Sequence, residues 1–157
     1  MHTNLYLFLD FDGVLHPEGV GPELEFCHLQ GFEELMRQYP QVLIVFSSSW
    51  RLHVSFEKLI TFFSSELHDR IVGATPHLQE LVTEQGHRQR ECEQWLASNA
   101  PGAPWLAVDD RASYFDAACP QLVLLPHIHA GGTGLEGEAL ALLRQRIDQN
   151  IEHLVKS

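Results

Sequence analysis

Lysine is nearly missing from this chain. Only Lys58 and Lys156 occur among 157 residues, and ten basic residues (Lys plus Arg) face twenty-one acidic ones, for a formal net charge of -11. That balance argues against a general nucleic-acid surface or an anionic-membrane surface, since both need a basic patch. A local cationic pocket is compatible with it. Long apolar runs are missing as well: nothing approaches the ~18 residues of a membrane span. Residues 1–10, "MHTNLYLFLD", lack the basic start and cleavage site of a secretory signal. Cysteine is scarce, and Cys27, Cys92 and Cys119 show no paired metal spacing. A reduced, cytoplasmic setting with buried thiols is the expectation. Repeats, low-complexity tracts and long linkers are also missing, so residues 1–157 read as a single domain.

What the chain does have is a series of short apolar runs that end in polar residues. "LYLFL", Leu5 to Leu9, leads straight into Asp10, Phe11, Asp12 and Gly13. A continuous apolar run of this length suits a strand buried on both faces. "VLIVF", Val42 to Phe46, ends in Ser47-Ser48-Ser49, and "WLAV", Trp105 to Val108, ends in Asp109-Asp110. Weaker strands are predicted at Arg70–Ala74 and Leu122–Leu125. Helices are predicted at Gly31–Tyr39 with Phe32, Leu35 and Met36 inward, from Ser55 to Phe63, and at Arg88–Asn99 with Cys92, Trp95 and Leu96 inward. A last amphipathic helix runs to about Leu154. Strands alternating with helices predict an α/β domain of three layers, Rossmann-like, with a mostly parallel central sheet. Ligands in such sheets bind beyond the carboxyl ends of the strands, which is where the acids and serines fall.

Asp10 and Asp12 in isolation fit a turn whose side chains accept backbone N–H bonds. The second acidic pair changes the balance. Four carboxylates converging without a cation repel one another and raise each other's pKa. A divalent ion removes that conflict, and an all-oxygen donor set favours Mg²⁺. An EF-hand does not match, because Gly13 falls at loop position four and Gly21 at twelve. In an extended segment residues i and i+2 share a side, so Asp10 and Asp12 can face one substrate as nucleophile and general acid/base, while Phe11 turns into the core. Gly13 lets the chain turn without a side chain over the site.

"DFDGVLHP", the strand ending in Ser47-Ser48, an upstream basic residue and "WLAVDDR" together resemble the haloacid dehalogenase-like (HAD) phosphatases over most of the chain, from Leu5 to about Asp110. "SSSWR" and "WLAVDDR" look most like a small branch that includes phosphatase modules of RNA-repair polypeptides. The resemblance implies Asp10 as nucleophile and Mg²⁺ ligand. It implies Asp12 as acid/base, with its backbone carbonyl on the metal, and Ser48 or Ser47 on a phosphoryl oxygen. Asp109 and Asp110 complete the metal site. The family's usual lysine is absent here; Arg88 is the substitute, with Arg90 second, because a guanidinium can hold a phosphoryl oxygen and a carboxylate together.

His16 follows the acidic motif closely enough to reach a leaving group, although motif proximity is the whole argument. Trp50-Arg51 reads as packing and a surface charge in preference to a pocket lining. His127-Ile128-His129 before Gly131-Gly132 reads as a polar loop. The expected activity is Mg²⁺-dependent phosphomonoester hydrolysis through an aspartyl-phosphate. The competing readings are a DxD metal-dependent nucleotidyl or glycosyl transferase, and a catalytically silent phosphoryl- or metal-binding module. Fewer than thirty residues separate Gly13 from the second strand, too few for an independent cap domain, so residues 14–30 read as a flap. An open site follows, suited to a phosphate on a larger molecule or completed by a second copy in a homo-oligomer.

Overall fold

The computed structural model describes residues 2–126 and 134–156; His127-Ile128-His129 and Gly131-Gly132 lie outside them. Among the described residues five strands form one parallel sheet: β1 (Leu5–Leu9), β2 (Val42–Phe46), β3 (Ile71–Ala74), β4 (Trp105–Asp109) and β5 (Leu122–Leu124), in the order β3-β2-β1-β4-β5. The helices are α1 (Leu29–Arg37), α2 (Phe56–Ile60), α3 (His87–Asn99) and α4 (Gly137–Lys156). This is a Rossmann-like α/β fold, and the described residues contain no cap domain. None of the described helices is long and apolar enough to cross a membrane.

Strand periodicity sorts the core into two layers. Leu5, Leu7 and Leu9 share one face with Val42, Ile44 and Phe46, and pack against Phe32 and Leu35 of α1, Leu59 of α2, and Leu143 and Ile147 of α4. Phe8, Val45 and Ala107 point to the opposite face and pack against Cys92, Trp95 and Leu96 of α3. Because both faces are covered, β1 needs no polar residue until it leaves the sheet. Of the thiols, Cys92 is buried, Cys119 half-buried and Cys27 exposed, so the expectation of buried cysteines holds for one of the three.

Register then sets the position of the polar residues. Leu9 pairs with Phe46 on one side and Val108 on the other. One step on, Asp10, Ser47 and Asp109 leave three neighbouring strands side by side. The Asp10 N–H reaches Val108 C=O at 3.4 Å, and the Ser47 N–H reaches Leu9 C=O at 3.0 Å. Alternation aims this rung toward the α3 layer, as it does Phe8, Val45 and Ala107. The chain runs from β1 outward to β2 and β3, then returns to β4 on the other flank. The rung therefore sits where strand order reverses, the place where open parallel sheets make their crevice.

The flap is anchored. Leu15 N–H bonds Phe11 C=O at 2.8 Å, and His28 N–H bonds Leu15 C=O at 2.8 Å. Phe26 packs against Phe11, Phe62 and Trp50, with ring centroids 5.7, 5.0 and 5.3 Å apart.

Candidate active site

Asp10, Asp109 and Asp110 each offer an oxygen within 4.8 Å of the others, and all three are buried. Arg88 comes up from α3, four residues before the core residue Cys92 and so on the same helical face. Its Nη1 donates to Asp109 Oδ2 at 2.8 Å and lies 3.4 Å from Asp10 Oδ1. The Tyr114 ring lies against its guanidinium, 4.6 Å from carbon to centroid. Among the described residues Arg88 Nε is buried with no hydrogen-bond partner, an orphan donor of the kind that a ligand oxygen satisfies. Arg90, two residues on, is half exposed and pairs with Glu93 and Asp116. Of the two arginines, only Arg88 is seen to reach the carboxylates.

Burial, reinforced by Asp109, pushes Asp10 well above the ordinary carboxylate range, and Arg88 only partly offsets it. Burial also raises Asp109 against the pull of Arg88. Arg88 in turn is held charged: burial opposes its charge, but Asp109 and Asp10 outweigh that effect. Three carboxylates and one guanidinium leave two formal negative charges in a buried site, which suits a divalent cation. The donor set is all oxygen, as Mg²⁺ prefers. Room for the third carboxylate comes from Gly13. At φ +77° it lies in the left-handed region, and a Cβ there would stand 2.2 Å from Asp110 Oδ2. The residues present therefore fit such an ion.

Asp12 also lines the cleft, but its carboxylate belongs to a different neighbourhood. Its Oδ1 is 2.7 Å from His16 Nε2, and Trp50 Nε1 lies 3.2 Å from both of its oxygens. The hydrogen bond from His16, aided by Trp50, overcomes partial burial and holds Asp12 below the ordinary range. The two acids of one motif are thus pushed in opposite directions.

The cleft itself holds about 70 Å³, the share of roughly two waters. Asp10, Arg88 and Asp110 are its buried walls; Glu18 and Arg111 are its more exposed ones. Arg111 donates to Glu18 at 2.6 Å and so ties the flap to the loop after β4. No cap covers the site among the described residues; the anchored flap and this ion pair border the cleft. Glu18, Arg111 and Tyr114 also line the cleft, with no role given them by the sequence; the fold brings them there. Ser47 and Ser48 are buried at the end of β2. The Ser48 hydroxyl accepts Trp50 N–H at 3.2 Å, and Ser49 is the member of the run that lines the cleft. Arg51 is not a surface charge. It is buried against Glu91 at 3.0 Å and donates to the carbonyls of Ser48, Thr75 and Pro76.

A rung of acid, serine and acid at the switch point of a parallel sheet, with no cap among the described residues, suits a HAD-fold, phosphatase-like module. Residues 6–135 match the family described as "HAD domain in Swiss Army Knife RNA repair proteins", and the chain belongs to that family. Comparison with curated proteins and with solved structures gave no match.

Proposed function

We propose that this chain is a Mg²⁺-dependent phosphomonoester hydrolase that works through an aspartyl-phosphate on Asp10. The observation that carries the reading is the convergence of the Asp10, Asp109, Asp110 and Arg88 side chains at the carboxyl end of the sheet. Asp10 and Asp110 would hold the ion directly, with the Asp12 backbone carbonyl beside them. Asp109 already accepts from Arg88 through one oxygen and from the Arg111 backbone N–H through the other, at 2.9 Å, so it serves to orient Arg88. When bound, the ion supplies charge stabilisation for the phosphoryl oxygens.

In the first half-reaction an Asp10 oxygen forms a bond to phosphorus while the bond from phosphorus to the leaving oxygen breaks. Asp12, which enters this step in its protonated form against the pull of His16 and Trp50, gives its proton to that oxygen. In the second, water attacks phosphorus, Asp12 takes its proton, and the bond to Asp10 breaks. Arg88 and a hydroxyl from the Ser47–Ser49 run would hold the equatorial oxygens, where charge collects. The presence of both Asp10 and Asp12 speaks against a silent module.

The substrate is a phosphorylated one. The family's description makes phosphorylated RNA ends a candidate beside sugar phosphates, nucleotides and phosphopeptides, held locally despite the net charge of -11. The test is Mg²⁺-dependent release of phosphate from an aryl phosphate and from this panel. Wild type should turn over and Asp10→Asn should not, since the amide cannot attack phosphorus. Near-normal turnover by the variant would remove Asp10 as nucleophile.

A further inference from the structure

Asp12 stands outside the carboxylate group that Arg88 bridges, and two ring N–H groups hold it from the flap and from the end of β2. His16 is 2% exposed. Its Nδ1 accepts the backbone N–H of Phe26 at 3.1 Å, so Nδ1 carries the lone pair and Nε2 carries the hydrogen. His16 therefore donates to Asp12 Oδ1 at 2.7 Å. Trp50 Nε1 adds a shared donation, 3.2 Å to each oxygen.

The fixed tautomer has its own support. Phe26 sits at φ +60°, a region that bulky side chains rarely adopt. Strain of this kind persists only where the surroundings over-determine the conformation, and Phe26 is held by Phe11, Trp50 and Phe62. Its ring also meets the His16 ring edge-on at 5.4 Å. One residue in an unfavourable conformation thus presents the N–H that sets the histidine. Among these contacts Oδ1 takes a full bond and a share, while Oδ2 takes only a share.

We propose that His16 and Trp50 are positioning residues that hold Asp12 by Oδ1 and reserve Oδ2 as the oxygen that exchanges the substrate's proton. The inference rests on the hydrolase reading above. In the first half-reaction the Oδ2–H bond breaks and its proton joins the leaving oxygen as that oxygen parts from phosphorus. In the second, Oδ2 takes the proton of the attacking water. A carboxylate free to rotate would offer either oxygen at a variable distance. Fixing one end sets the reach of the other.

The experiment uses Trp50→Phe and His16→Phe, which remove the donors and keep a ring in the aromatic cluster, and His16→Gln, whose Nε2–H can replace the donor. The first-turnover rate at saturating ester and the half-saturating concentration are measured with Mg²⁺ on an alkyl phosphate and on a nitrophenyl phosphate. The alkyl leaving group needs a proton; the nitrophenyl group needs little. General acid catalysis is worth about 10²–10⁴-fold, so each Phe variant should lose about tenfold or more on the alkyl ester. On the nitrophenyl ester the loss should be several times smaller, with half-saturation little changed. His16→Gln should recover most of the alkyl rate. If His16→Phe does not fold, Trp50→Phe and His16→Gln still carry the comparison. Parallel losses on the two esters, or no loss on either, overturn the positioning role and leave the hydrolase reading standing. A wild-type chain inactive on both esters overturns the hydrolase reading itself, and this inference with it.

Discussion

Asp10 is 5% exposed, and its cost to the fold has a definite sign. Burial and Asp109 raise its folded pKa above the unfolded value of 3.8. A carboxyl shifted in that direction leaves full stability below the unfolded pKa, and stability falls as pH climbs through the folded one. Asp12 is the reverse case. Its lowered pKa contributes stability above 3.8 that is lost as pH falls through the folded value. The two windows lie on opposite sides of the unfolded pKa. Asp10→Asn should therefore raise the melting temperature of the metal-free protein near neutral pH, with the gain shrinking as pH drops toward the unfolded value. Calorimetric melts at several pH values check this, and a variant less stable than wild type throughout would show that Asp10 is already well compensated by Arg88. Gly13 makes a second prediction at this scale. Gly13→Ala strains a left-handed turn and sets a Cβ against Asp110. Titration calorimetry should show Mg²⁺ binding weakened more than phosphate binding, the metal site being the first casualty.

Helix α3 carries two arginine-dependent contacts, and one supports the other. Glu91 accepts Leu78 N–H at 2.9 Å through one oxygen and meets Arg51 at 3.0 Å through the other. Through Arg51 the ends of β2 and β3 are tied to the helix that presents Arg88 three residues earlier. Arg51→Met leaves buried Glu91 without its guanidinium, with only Leu78 N–H and the His77 ring at 3.6 Å beside it; removing one partner of a buried ion pair costs about 3–5 kcal/mol. Arg90→Ala removes only half-exposed pairs and should cost less than about 1 kcal/mol. Urea unfolding of the two variants compares them directly; similar losses would mean that the Arg51–Glu91 clamp is not what fixes α3. Much at this scale was legible in the sequence. β1 and β2 begin and end where their apolar runs do, because a strand covered on both faces needs nothing else. Asp10, Asp109, Asp110 and Arg88 were legible as strand-end and helix-start residues of a parallel sheet. The helix from Ser55 was read as far as Phe63 but stops at Ile60. Phe62 and Phe63 are apolar because they meet Phe26 and Phe46, a tertiary reason that mimics helical periodicity. The pairing of Glu18 with Arg111 joins residues 93 apart, and no local pattern announces it.

Across the described residues, the candidate site begins at one plane of register, where the strands end. Below the Leu9–Phe46–Val108 rung the sheet is apolar on both faces; one step above it Asp10, Ser47 and Asp109 face the α3 side, while Phe11, Val14 and Leu15 carry the core on beyond the strand ends. Lysine is scarce, but one buried arginine, Arg88, lies between Asp109 and Asp10, and under the proposed function it takes the place of a lysine. The three tryptophans are divided by the same plane. Trp95 and Trp105 pack on Phe8 in the α3 layer, at centroid distances of 5.9 and 5.6 Å. Trp50 alone has its indole N–H on Asp12. The protein therefore carries its own fluorescent reporter. Adding Mg²⁺ and inorganic phosphate should shift or quench the emission of Trp50 as its carboxylate partner is repolarised, over a constant background from the other two. Trp50→Phe should abolish that change while leaving the background emission in place. A response that survives the substitution would locate the anion elsewhere in the fold.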